Sequence, residues 1–348
     1  MSARRVIVVS LVAAATGLAL LVVGIAVDPS RAAFAFLDAW TFGVTICVGA
    51  LLLLMAAHAS KGSWMVVIRR PVEAVVGALP LYVLLFVPIA FAVRRLYPWA
   101  NASAQTPELQ AAIAHKQAYL SPWFFFVRTA FYFAVFILMG VLLRVWSKRN
   151  DARPSMRTVI WMRRLSGGGL PVVGLVLTWA AFDWTMSLEP DWYSTIFGLY
   201  YFAGAFVGAI ALTSVMLHLS RLRTAPRDRV TPDHAQALGR ILFAMVIFWA
   251  YMAFSQLLIY WIGDIPEEVS FFGLRTTGSW AVVTGVLVCG MFVAPFFALL
   301  NRLWKRRTPY LAIVGAWVFV MHYVDVYWMV LPMHDAAGAR PHWLDGAS

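Results

Sequence analysis

The sequence predicts an all-α polytopic membrane protein with about nine transmembrane helices. Three observations predict it. Hydrophobic residues make up 62% of the 348-residue chain and charged residues only 13%, about half the charged share usual in a soluble domain. The apolar residues gather in runs of about 20, the length that crosses a hydrocarbon core. The Lys and Arg residues behind the net charge of +12 lie between the runs rather than on one face, which argues against a nucleic-acid surface.

Taken in order, the first run (6–27) follows Arg4 and Arg5 and resembles a signal peptide. It is long enough to span, and no clear small-residue cleavage site follows, so it reads as a retained helix. Eight more runs follow at 36–58, 72–92, 122–145, 170–188, 194–218, 237–262, 279–300 and 309–333. Pro80, Pro88 and Pro295 lie inside runs and predict kinks, tolerated where neighbouring helices satisfy the freed carbonyls. The loops are too short for a soluble domain, so 1–348 reads as one integral membrane domain.

Charge sets the orientation. With a cytoplasmic N-terminus, most basic residues fall on inner loops, beginning with Arg4, Arg5, Lys61, Arg69 and Arg70. Glu108, Glu189, Asp191, Asp264, Glu267, Glu268, Asp335 and Asp345 then all face out. The expected location is a cytoplasmic (inner) membrane, with the C-terminus on the periplasmic side. Cys47 and Cys289 sit far apart within apolar runs and no C-x-x-C occurs. That leaves no case for a disulfide framework, a metal, an iron–sulfur cluster or covalent haem, and both thiols read as small core residues.

Ionisable groups inside a membrane are functional candidates. Arg128, Asp183 and Asp325 lie in the fourth, fifth and ninth runs, each roughly 8–12 Å below the outer surface at 1.5 Å per residue. One Arg and two Asp at one depth suggest a cluster, in which one pair neutralises and the second carboxylate holds a proton. The competing reading is a buried ion pair that only fixes packing. His322, one turn from Asp325, is either a proton relay or a packing residue. Near the inner face lie His58, Glu73 and His218. A bis-histidine haem on His58 and His218 is disfavoured, because such ligands usually lie deeper between helices. Gln256 invites a hydrogen bond to a neighbouring helix. Trp99, Trp123, Trp192 and Trp304 read as interfacial belt. The aromatics around Asp183 (Phe182, Trp184, Trp192, Tyr193, Tyr200 and Tyr201) read either as belt or as the lining of a flat ring pocket.

The stretch Phe182-Asp-Trp-x-Met-Ser-Leu-Glu-Pro-x-Trp-Tyr-Ser-Thr-x-Phe-Gly-x-Tyr200 resembles the NrfD-like integral membrane proteins, in particular the second such subunit of bacterial alternative complex III. Further blocks agree in order: Lys116-x-x-Tyr-Leu120, Phe124-Phe125 and Arg128; Trp249-x-Tyr251, Phe254-Ser-Gln-x-Leu-Ile259, Trp261, Pro266-Glu-Glu268, Arg275 and Trp280; then Asp325-x-Tyr-Trp328 and Pro332. The resemblance implies two four-helix bundles, over 36–190 and 191–333, beside a peripheral helix. It implies a quinol:cytochrome c or quinol:electron-acceptor oxidoreductase. The partners would be multihaem cytochrome c and iron–sulfur subunits and a second NrfD-like membrane subunit. Quinone would be the bound redox molecule, with no haem or iron–sulfur cluster in this chain. The family enters a tenth helix where this sequence reads Pro341-His-Trp-Leu-Asp-Gly-Ala-Ser348.

Three functions follow as expectations. The first is a subunit contributing the quinone environment or a proton path, with Asp183 and Asp325 accepting protons and Arg128 tuning them. The second is a structural anchor of the same complex. The third is an independent secondary transporter, suggested by buried acids and Pro-broken helices.

Overall fold

The computed structural model describes residues 3–223, 230–340 and 342–346. Part of the basic loop after the sixth run, Pro341 and the last two residues lie outside that set, as do the side chains of Arg4, Arg5, Pro266, Glu267 and Glu268. The described chain is helical throughout, with no strand among the described residues. It is an all-α, multi-pass membrane protein.

Helix α1 (Ala3–Val27) leads through Asp28 into α2 (Pro29–Ala59). The start of α2 is locally encoded: Pro29 occupies the first turn, and the Asp28 carboxylate accepts from the Arg31 amide at 2.9 Å. A bent segment follows, built from α3 (Arg69–Val76), α4 (Leu79–Leu85) and α5 (Val87–Leu96). It turns by 56° where Pro88 enters the chain, because proline removes a helical N–H and its ring crowds the preceding turn. The short α6 (Pro107–His115) precedes α7 (Pro122–Ala152) and α8 (Met156–Trp184). Then come α9 (Phe197–Arg223), α10 (Pro232–Gly263) and the short α11 (Pro266–Thr276). The next membrane segment is α12 (Gly278–Leu287), a π-helical turn over Val288–Val293, and α13 (Ala294–Leu300). A one-turn α14 (Arg302–Lys305) leads to α15 (Thr308–Val330).

Among the described residues, seven helices are long and apolar enough to cross a membrane, or eight if the bent pair counts as one. The ninth expected span is α1, of which Ala15–Val27 is apolar. Burial sorts the helices by position. In α2, 78% of the apolar window is buried, whereas in α10 and in Gly278–Leu300 only 28% is. Helix α2 is therefore central, with α9 and α15 also mostly buried, while α7, α8, α10 and the Gly278–Leu300 segment turn most of their apolar surface outward, as lipid-facing helices do. Helices α2 to α5, α7 and α8 pack together, as do α9, α10, α12, α13 and α15. The two groups meet along α2, α8, α9 and α15, while α1 packs on α2.

Small residues set the central contact. A Cβ on Gly49 would lie 2.0 Å from the Ala205 carbonyl oxygen, and one on Gly315 would lie 2.7 Å from that of Ala211. Helices in lipid have no hydrophobic drive to associate, so close backbone approach at small residues supplies much of the attraction.

Two expectations need correction. Trp123 and Trp304 are exposed, but Trp99 and Trp192 are buried. Each of the buried pair has a better partner than the interface: Trp99 donates to the Ser187 hydroxyl at 3.1 Å, and Trp192 stacks on Phe271 at 4.0 Å. Cys47 is buried, but Cys289 is exposed within the π-turn and is no core residue.

Gly49→Leu is expected to destabilise the detergent-purified protein by about 1–3 kcal/mol through overpacking. A melting temperature equal to wild type would show that α2 and α9 do not touch as described.

Candidate functional site

The carboxylates gather at one end of the helices, called here the acidic end. Asp183 is the next-to-last residue of α8 and is fully buried. Arg128, one and a half turns into α7, grips it from both sides: Nε to Oδ2 at 2.7 Å and Nη2 to Oδ1 at 2.8 Å. The Tyr132 hydroxyl donates to Oδ2 at 2.6 Å. Arg128 also donates to the Tyr119 carbonyl at 2.9 Å and lies over the rings of Tyr119 and Phe124. This is a forked, charge-assisted pair with cation–π cover. Both carboxylate oxygens are occupied by charged or phenolic donors.

Asp325, on α15, is equally buried but is solvated differently. The Tyr200 hydroxyl on α9 donates to Oδ1, and Trp249 Nε1 on α10 donates to Oδ2 at 3.2 Å. Both donors are neutral. His322 Nδ1 lies 3.7 Å from Oδ2, too long for a hydrogen bond. The other ring nitrogen, Nε2, lies 2.9 Å from the Thr45 hydroxyl. That hydroxyl already gives its hydrogen to the Phe42 carbonyl at 2.7 Å, so Nε2 is the donor in this contact. In a neutral ring, Nδ1 is then a bare lone pair facing a carboxylate, a repulsive arrangement. One further proton, on Nδ1 or on Asp325, removes the conflict. The imidazole lies against Gly204 and Gly208 of α9, where a Cβ at Gly208 would come within 2.5 Å of His322 Cδ2.

The expectation of one shared cluster of Arg128, Asp183 and Asp325 is therefore corrected. The two carboxylates end different helices in different packing groups, and each has its own donors. The aromatics around Asp183 divide in the same way. Trp184 is buried against Trp40 and Phe133 and donates to Thr129. Phe182, Trp192 and Tyr193 instead line a cleft of about 280 Å³ at the acidic end.

A second cleft, of about 300 Å³, runs between α10 and α12. Its walls are almost wholly apolar and include Ala253, Phe254, Leu257, Val288 and Trp328. Phe254, Leu257 and Val288 are also exposed on the outer faces of their helices, so the cleft opens sideways. Its inner wall carries Tyr200 and Trp249, the two residues that hydrogen-bond Asp325. The π-turn at Val288–Val293 forms part of the same wall, and such turns are frequent at functional sites.

Sequence reasoning missed a third charged centre. Arg275, fully buried, pairs with Glu189 at 2.7 Å and donates to the carbonyls of Phe271, Trp328 and Met329. It fastens the Glu189–Pro190 turn to the ends of α11 and α15. Lys116 holds the same turn through the Pro190 carbonyl at 2.6 Å, and burial pushes its ammonium pKa down from the ordinary value. Asp38 on α2 was also missed. It is a fully buried carboxylate in an apolar stretch, and its isolation in the sequence was the available signal.

The basic-end candidates do not converge. Glu73 is buried between Arg70 (2.5 Å), Arg69 and the Ser147 hydroxyl. His218 lies 3.3 Å from the Thr308 hydroxyl on α15. The buried His58 Nε2 has no hydrogen-bond partner. Among the described residues, no three His, Cys, Asp or Glu side chains are placed to hold a metal ion. No protein-family model matches the chain, and no curated protein matches it closely enough to name a relative.

Removing one partner of a buried ion pair leaves the other charge uncompensated and costs about 3–5 kcal/mol, whereas replacing both with apolar residues costs far less. Arg128→Met and Asp183→Asn should each lower thermal stability in detergent sharply, and Arg128→Met/Asp183→Leu should recover much of the loss. Additive losses in the double variant would show that the pair is not coupled.

Proposed function

We propose that this chain is a membrane subunit of a quinol:cytochrome c or quinol:electron-acceptor oxidoreductase of the alternative complex III type. Its part is a lipid-facing quinone cleft with a proton acceptor behind it. The observation that carries the reading is the cleft of about 300 Å³ between α10 and α12, two of whose few polar wall residues, Tyr200 and Trp249, are both bonded to Asp325. Ligand sites are mostly apolar with a few placed polar groups, and this cleft has that balance.

The resemblance supplies the substrate class. Its separate blocks also converge in space. Lys116 reaches Pro190, Tyr119 and Arg128 meet Asp183, Arg275 meets Glu189, and Trp249 meets Asp325. Residues far apart in the sequence but quoted for one family likeness thus build one end of the molecule.

A flat aromatic ring in the cleft would place a hydroxyl against Tyr200. As that hydroxyl loses its proton to the Tyr200 oxygen, the tyrosine proton passes to Asp325, and His322 provides a second seat. The two electrons leave to iron–sulfur and multihaem partner subunits, beside a second NrfD-like subunit. The acidic end faces the periplasm in this reading, so the protons emerge outside. The apolar tail of a quinol would lie along Phe254, Leu257 and Val288.

The alternative is a structural anchor of the same complex, favoured by the clamped Arg128–Asp183 and Arg275–Glu189 pairs, which fix helices without exchanging protons. A photoreactive quinone analogue added to the detergent-purified complex separates the two. Cross-links should fall on α10 and α12 around the cleft and vanish in Ala253→Trp, which fills it. A labelling pattern that Ala253→Trp leaves unchanged would favour the anchor. Purification from native membranes without multihaem and iron–sulfur proteins would count against both.

A further inference from the structure

The residues proposed to exchange protons do not explain Asp38. It sits on α2 with no exposed surface, and neither carboxylate oxygen has a hydrogen bond of ordinary geometry. The Tyr323 hydroxyl of α15 is close enough to hydrogen-bond Asp38, and it also reaches the Asp345 carbonyl. A buried carboxylate with no more than a shared phenol against it is among the most unfavourable groups a membrane helix can carry.

Its surroundings form a line. Asp38, Thr41 and Thr45 fall at i, i+3 and i+7, one face of α2. All three are buried, and Thr45 is the residue that contacts His322. The Thr41 hydroxyl and His322 Nδ1 are, like Asp38, buried polar atoms without a partner. Asp38 and Thr45 are about 10 Å apart along the helix, too far for direct contact. Bound water needs two to four polar partners, and these unpaired atoms supply them at successive levels. At the acidic end, Arg31, seven residues before Asp38 on the same face, pairs with Asp335 and Asp345. Asp335 is held further by the Trp280 indole, which donates to its carbonyl at 2.8 Å.

We propose that Asp38 is a protonated carboxylic acid at neutral pH, and that water joins it through Thr41 and Thr45 to the His322–Asp325 pair as a proton-conducting file between α2 and α15. A neutral acid removes the desolvation penalty, and as a donor it orders the first water of the file. The charged and titratable groups facing it are Arg31 on α2, Tyr323 on α15, and Asp345 near the C-terminal end of the chain. As an exit for quinol protons the file rests on the proposed function. As a hydrated, protonated carboxyl it does not.

Infrared spectroscopy of the purified full chain in phosphatidylethanolamine–phosphatidylglycerol nanodiscs tests it without quinone. The expected result is a protonated-carboxyl C=O band at neutral pH that Asp38→Asn removes and Asp38→Glu shifts. In D2O the band should shift within minutes, because water reaches the group. A spectrum unchanged by either substitution would overturn the protonated state. A band that keeps its H2O position for hours in D2O would mean a dry pocket and overturn the file. If Asp38→Asn fails to fold, the Asp38→Glu shift and the exchange rate carry the same decision. Neither result depends on quinone, so a failed cleft and a failed file are told apart.

Discussion

Carrying a carboxylate into hydrocarbon is the constraint on which this molecule depends, and it meets that constraint in two chemically different ways. Asp183 is neutralised by a guanidinium that occupies both its oxygens, with a phenol added. Such an arrangement is rigid, and protonating Asp183 would strand Arg128 as an unpaired buried cation. Asp325 has only neutral donors and a histidine beyond hydrogen-bond range. Protonating it strands nothing. The first arrangement suits a clamp and the second suits proton exchange, although the two residues look alike in sequence.

This contrast explains what was legible beforehand. Long apolar runs and the distribution of Lys and Arg made the helical, multi-pass architecture readable, and Pro88 announced the bend in the third segment. The candidate residues were also visible, since Arg128, Asp183 and Asp325 each interrupt an apolar run. Depth along a helix was readable, but direction around it was not. Equal depth suggested one cluster, while the azimuth of α8 and α15 separates the two carboxylates. Arg275 lay in what read as a loop, so its burial gave no signal. The Gly204 and Gly208 pair, four residues apart, could have been read as a close-packing motif. It seats His322 as well as setting helix spacing.

The packing and the chemistry share the same residues. Helix α2 is central because small residues let α9 approach it, and its buried face presents Thr45 to His322. The outer helices α10 and α12 are the least buried, so the cleft between them opens toward the surrounding layer, and Tyr200 and Trp249 of its wall touch the Asp325 carboxylate on α15. In the proposed function, an apolar substrate enters from the lipid and a proton leaves through the interior. The Arg275–Glu189 pair and Lys116 hold the turn at the acidic end, where the two packing groups join.

The most direct test of this division of roles is steady-state quinol oxidation by the assembled complex carrying Asp325→Asn. Loss of a positioned proton acceptor should slow turnover about 100-fold, with subunit composition unchanged. Wild-type turnover in a fully assembled Asp325→Asn complex would contradict the account and leave the cleft without a proton acceptor.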